Sequence, residues 1–142
     1  MRKLKVLFLC TGNSARSQMA EGFLRHLAGD NFEVFSAGVT PTQVNPLAIK
    51  VMQEVGIDIS KHRSKSVMEF IKDKFDYVIT VCDHAKQTCP IFLGEYKKIH
   101  WNLEDPANVE GTEEEKLLAF RITRDKIKKF ILDFIKATID NP

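Results

Sequence analysis

Val6 to Cys10 is five apolar residues in a row, and this run with the small residues after it restricts the chain more than any other feature. An uninterrupted apolar run suits a strand covered on both faces, as in a parallel sheet. Thr11, Gly12, Asn13, Ser14 and Ala15 are all small, and Arg16 and Ser17 close the segment. From Gln18 onward Met19, Phe23, Leu24 and Leu27 recur at helical spacings of three and four. The pattern is strand, tight loop, helix, with a thiol at the carboxyl end of the strand.

That order has a chemical meaning. Backbone N–H groups of such a loop can form an anion-binding nest. The helix N-terminus adds partial positive charge and unpaired donors. Arg16 adds a planar fork that can hold two oxygens of a tetrahedral anion. The same surroundings favour thiolate over thiol at Cys10, and a hydrogen bond from Ser17 would help the sulfur ionise and leave. A Cys-x5-Arg spacing alone is weak, and the strand before it and helix beyond it carry the reading. Cys10 is thus the candidate nucleophile, and Thr11, Gly12, Asn13, Ser14, Ala15, Arg16 and Ser17 are the candidate oxyanion cradle.

The rest of the chain alternates strand and helix. Phe32 to Ala37, Phe75 to Val81 and Lys98 to Trp101 read as strands. Asn45 followed by Pro46 opens a helix that runs to about Val55, with Gly56 as its cap. Ser66-x-x-Glu69 and Thr112-x-x-Glu115 resemble capping boxes. The second starts a long helix with Leu117, Phe120, Ile127, Phe130, Ile131 and Phe134 on one core-facing stripe. This alternation predicts an α/β fold: one domain over 1–142, a doubly wound, parallel, four-stranded sheet in flavodoxin-like order. Ligands then bind beyond the first and third strands, where strand order switches. Cys10 closes the first strand and Cys82 the third, so the topology sets them side by side.

Composition excludes several classes. A net charge of +2 gives no basic field for nucleic acid. No 18-residue apolar stretch exists, so no membrane span is expected. The apolar core of Met1 to Cys10 is too short for a signal peptide, and no small-residue cleavage site comes after it, so a cytoplasmic protein is expected. Three cysteines are too few for a disulfide scaffold, and any disulfide should be transient and catalytic. A zinc site from Cys82, His84 and Cys89 is an alternative, although the spacing matches no ordinary knuckle. His26, His62 and His100 show no ligand spacing and read as single surface or interior residues.

Cys82-Asp-His-Ala-Lys-Gln-Thr-Cys89 is the second informative stretch. If helical, it holds the two Cα atoms ~10 Å apart, whereas a disulfide needs them within about 7 Å. A Cys82–Cys89 bond therefore requires the segment to unwind. Pro90 and the short polar run make that inexpensive.

Cys-Thr-Gly-Asn-Ser-Ala-Arg-Ser resembles the active loop of the low-molecular-weight tyrosine phosphatases and of the arsenate reductases that share their fold. Cys10, Cys82 and Cys89 resemble the three-thiol pattern of the thioredoxin-coupled arsenate reductases, as do Ser17–Gly22, Phe35–Val39 and Gly56–Ser60. The resemblance implies reduction of arsenate to arsenite by a cysteine relay in arsenic detoxification. It implies no cofactor, and thioredoxin or a glutaredoxin-type protein as reductant; a monomer is expected. On its own Asp105-Pro106 reads as a turn; the resemblance makes Asp105 the general acid. The alternative is a phosphatase. Against it, Ala15 stands where such enzymes typically carry a second Cys, and Ala107 and Asn108 stand where they carry aromatics. Sugar-transport phosphocysteine carriers are similar in fold but typically lack the loop Arg. Relatives can bind potassium beneath the loop, and Asn13, Glu21 and Ser36 match three ligands. Lys65 replaces the fourth, an Asp, so its ammonium group is expected in place of the ion.

Overall fold

The structure, a computed structural model, describes residues 2–139. Met1 and residues 140–142, which the expected domain includes, lie outside the described residues. Four parallel strands form one sheet: β1 (Leu4–Cys10), β2 (Phe32–Gly38), β3 (Tyr77–Thr80) and β4 (Lys97–His100), in the order β2-β1-β3-β4. The order reverses between β1 and β3, the flavodoxin-like arrangement expected from the alternation. Cys10 pairs with Gly38, and Leu9 with Thr80.

Both faces of β1 are covered, which is why its apolar run is unbroken. On one face Phe8 packs against Trp101, which stacks on Phe130 of α4 (Glu113–Ile139) at 5.1 Å. Phe32 and Tyr77 meet Phe134 of the same helix. On the other face Phe35 meets Phe70 and Phe75, and Phe75 meets Phe92. Leu7, Phe8 and Leu9 are fully buried, each contributing about 1.5–3 kcal/mol of apolar burial.

Helix ends obey the expected chemistry with two differences. α1 (Arg16–Ala28) begins two residues before Gln18, and Leu27 on its outer side is exposed. α2 (Pro46–Gln53) is capped by Asn45, whose side chain accepts from the Leu47 N–H. It closes through Gly56 N–H to Gln53 O and Ile57 N–H to Met52 O, with Gly56 at φ +79°, the Schellman pattern that glycine permits. Thr112 and Glu115 make both arms of their capping box. Ser66 opens only a 3-10 turn, Val67–Phe70. It accepts from the Met68 N–H, while Glu69 is drawn into a bidentate pair with Arg63. α3 (Asp83–Thr88) spans the segment between the second and third cysteines.

Candidate active site

Loop 11–15 turns between β1 and α1 at the carboxyl edge of the sheet. Its carbonyls are tied to the chain that leaves β2: Val39, Thr40, Thr42 and Asn45 donate their N–H groups to Cys10, Thr11, Gly12 and Ser14. With the carbonyls held outward, the loop N–H groups turn toward the sulfur, and Asn13 N–H donates to Cys10 Sγ at 3.2 Å. Asn13 reaches this position with φ +49°, a left-handed conformation that Asn tolerates better than most residues. Ala15, at the N-cap of α1, makes no side-chain cap. The first-turn amides of α1 are thus left for an anion.

Cys10 forms the floor of a cleft of about 330 Å³. Arg16 and Asp105 line it, and the small side chains of Thr42 and Ala107 border its mouth from the β2 and β4 sides. Asp105 caps the 3-10 turn Pro106–Asn108 through Oδ1, and its Oδ2 lies 3.5 Å from Arg16. The guanidinium is anchored: Arg16 Nη1 donates to Leu103 O at 2.9 Å. That anchor joins the loop to the strap carrying Asp105, and no spacing in the sequence announces it.

Beneath the loop lies a buried polar network. Asn13 Nδ2 donates to Ser17 Oγ at 2.8 Å and Ser36 Oγ at 2.9 Å. Asn13 Oδ1 accepts from the Lys65 N–H and from Gln18 Nε2. Ser36 donates to Glu21, which is surrounded by Arg25, His62 and Lys65. His62, expected as an isolated side chain, instead shares a 2.9 Å hydrogen bond with Gln18 Oε1. Ser17 Oγ lies 2.8 Å from Cys10 Sγ. Burial is the largest influence on the Cys10 thiol and pushes its pKa up, while Ser17 and the Arg16 charge pull it down. Burial of Cys10, a residue only 3% exposed, thus opposes the thiolate expected from sequence, while Ser17 and Arg16 favour it. The sequence shows the partners but not the burial.

Cys82 ends up beside the loop. Its Sγ is 3.2 Å from Thr11 Oγ1 and accepts from the Ala85 N–H. Cys82 and Cys89 are the two caps of α3, and Cys89 is half-buried, with burial pushing its thiol up. All three cysteines are free thiols. No group of three His, Cys, Asp or Glu is placed to hold a metal among the described residues, and the His84 side chain of the zinc alternative lies outside them. Asn13, Glu21 and Ser36 do converge, and Lys65 Nζ reaches within 3.9 Å of Glu21. Lys65 Nζ itself donates to Arg63 O at 2.8 Å.

Residues 5–141 match the family model described as low molecular weight phosphotyrosine protein phosphatase. The chain belongs to that family. The arsenate reductase of Halalkalibacterium halodurans is 47% identical over 134 residues, covering 94% of this chain and 96% of its own. A solved arsenate reductase in its oxidized state superposes with a TM-score of 0.80 at 37% identity, covering 92% of this chain and 95% of that one. A low molecular weight protein tyrosine phosphatase from T. tengcongensis gives 0.76 at 28% identity, covering 94% and 99%. Within the family, the chain thus falls with the arsenate reductases. Among the described residues no helix is long and apolar enough to cross a membrane.

Proposed function

We propose that this chain reduces arsenate to arsenite through Cys10, Cys82 and Cys89. The observation that carries the reading is the position of Cys82, hydrogen-bonded to the same Thr11 that walls the oxyanion cleft, with Cys89 at the far end of a six-residue helix. A hydrolase needs no thiol in either place.

Arsenate enters between the loop amides of Thr11 to Ser17 and the free edge of Arg16. The Cys10 proton passes to the entering dianion, consistent with a thiol that burial has pushed up. Cys10 Sγ bonds to arsenic, and Asp105 protonates the departing oxygen, which leaves as water. Cys82 then attacks Cys10 Sγ. The arsenic–sulfur electron pair stays on arsenic, As(V) becomes As(III), and arsenite leaves as the Cys10–Cys82 disulfide forms. Cys89 attacks Cys82 and frees Cys10. At 1.5 Å per residue, the helix holds the last pair ~10 Å apart, so α3 must unwind for this step. Ala85 is its buried anchor and its other side chains from Lys86 to Thr88 are exposed, and so short a helix has little intrinsic stability. A dithiol protein of the thioredoxin or glutaredoxin type then reduces Cys82–Cys89. The relay closes within one chain and needs no second copy; this reading is of a cytoplasmic monomer serving arsenic detoxification.

Phosphate fits the same cradle, and Cys10, Arg16 and Asp105 suffice for slow ester hydrolysis. Thr42 and Ala107 offer no ring to hold an aryl group, so this remains a weak side activity. The test is arsenite production with thioredoxin, its reductase and NADPH, beside para-nitrophenyl phosphate hydrolysis. Cys10→Ser should abolish both. Hydrolysis without any arsenite from the unaltered protein would place it among the phosphatases.

A further inference from the structure

Every donor and acceptor beneath the nucleophile has only one possible direction, and the buried amide of Gln18 takes part in setting it. The Lys65 backbone N–H can only donate, so the Asn13 atom it meets at 2.9 Å is the carbonyl oxygen. Gln18 Nε2 faces three acceptors, Asn13 Oδ1 at 3.0 Å, Asn13 O at 3.1 Å and Arg63 O at 2.9 Å, so it too can only donate. Gln18 Oε1 is then the acceptor for His62 Nδ1. With its oxygen so held, Asn13 must present both N–H groups to Ser17 and Ser36. Each serine oxygen now accepts, and its own hydrogen must go elsewhere. Ser36 sends its hydrogen to Glu21, and Ser17 has Cys10 Sγ at 2.8 Å.

We propose that Gln18 is a positioning residue for the Cys10 nucleophile, acting through Asn13 and Ser17 to keep the Ser17 hydroxyl donating to the sulfur. Gln18 touches neither the cleft nor the thiol, and it is fully buried. A glutamine there has no packing need that methionine or leucine would not meet, whereas its two N–H bonds are what the three carbonyls require. Without it the Asn13 side-chain oxygen keeps only the Lys65 N–H and Asn13 O keeps only Ser64 Oγ, so the amide is held less tightly and the Ser17 bond to the sulfur weakens. The Ser17 bond is what offsets part of the burial that raises the Cys10 thiol. The inference rests on Cys10 as nucleophile, but its readout is thiol ionisation rather than turnover, so the two fail separately.

The experiment is the pH profile of Cys10 alkylation by iodoacetamide in the Cys82→Ser/Cys89→Ser background. Gln18→Met should move the profile up by about one pH unit, an alkylation rate at fixed pH about tenfold lower. Inhibition of para-nitrophenyl phosphate hydrolysis by phosphate should stay within about twofold, since Arg16 is untouched and Asn13 O keeps its bond from Ser64 Oγ. Gln18→Leu removes the donor without adding charge and should shift the profile the same way if the methionine variant does not fold. Glu69→Ala releases the Arg63 pair on the neighbouring segment without touching Asn13, and should leave the profile in place. A folded Gln18 variant whose profile superimposes on that of the unaltered residue overturns the proposal. So does an equal shift in Glu69→Ala, which would mean that the segment rather than the amide matters.

Discussion

Replacing Gly38 by alanine tests whether the oxyanion loop is held by backbone contact with β2. Gly38 pairs with Cys10 at the end of the sheet. A Cβ there would lie 2.6 Å from Thr11 O, 2.8 Å from Asn13 N and 3.0 Å from Gly12 C, all backbone atoms. Ordinary contact begins at 3.4 Å, so the loop must give way by about 0.8 Å. It cannot do so freely, because Val39, Thr40 and Thr42 tie its carbonyls to the chain leaving β2. Overpacking of this kind costs about 1–3 kcal/mol, which a folded domain of this size survives. A misplacement approaching 1 Å costs about 100-fold in rate. Gly38→Ala should therefore lower kcat/KM for arsenate by about 100-fold while far-UV circular dichroism stays unchanged and Tm falls by only several degrees. Thr11 also carries the bond to Cys82, so arsenite release should slow as well as attack. Near-normal kcat/KM in a folded variant would refute the claim that this contact sets the loop.

Arg16→Lys should lose about 100-fold or more in kcat/KM, since a point charge can copy neither the two-oxygen fork nor the anchor at Leu103 O; steady-state kinetics checks this. Asp105→Asn should lower kcat by about 100-fold or more with little change in KM, as removal of a general acid predicts. Glu54 links α2 to Arg121 and Arg124 of α4, with Arg121 the larger influence, and its pKa is lowered to about 2. A depressed carboxyl stabilises the fold above the unfolded value and loses that contribution as pH falls through the folded one. Glu54→Gln should thus cost about 1–2 kcal/mol at pH 7 after allowance for solvent screening. It should cost almost nothing near pH 2, with the difference closing between about 4.5 and about 2 in thermal melts.

The sheet, its order and the neighbouring positions of Cys10 and Cys82 were legible because each rests on local pattern. An apolar run, small residues, a helical period and the Thr112–Glu115 capping box name their own elements. The alternation of strand and helix leaves few topologies. The three thiols were legible because cysteines are few. What escaped depends on contacts between distant segments. Thr42 reaches the cleft only because the chain after β2 zips onto the loop. Gln18 looks like any polar residue opening a helix, yet it is fully buried and bonded to Asn13 and Arg63. The Cys10 thiol is raised because of what covers it, and the sequence shows only the groups that would lower it. Asp105 gained a role from resemblance alone, and its approach to Arg16 comes from a strap anchored at Leu103.

The central claim is that electrons pass from Cys82 and then Cys89 to the arsenic held on Cys10. A single-turnover arsenite assay with disulfide mapping by mass spectrometry tests it on two variants. Cys82→Ser should release no arsenite and remain arsenylated at Cys10. Cys89→Ser should release about one arsenite per enzyme and stall as a Cys10–Cys82 disulfide. Both should retain para-nitrophenyl phosphate hydrolysis, which needs no second thiol. Repeated arsenate turnover in a variant lacking both Cys82 and Cys89 would contradict the relay.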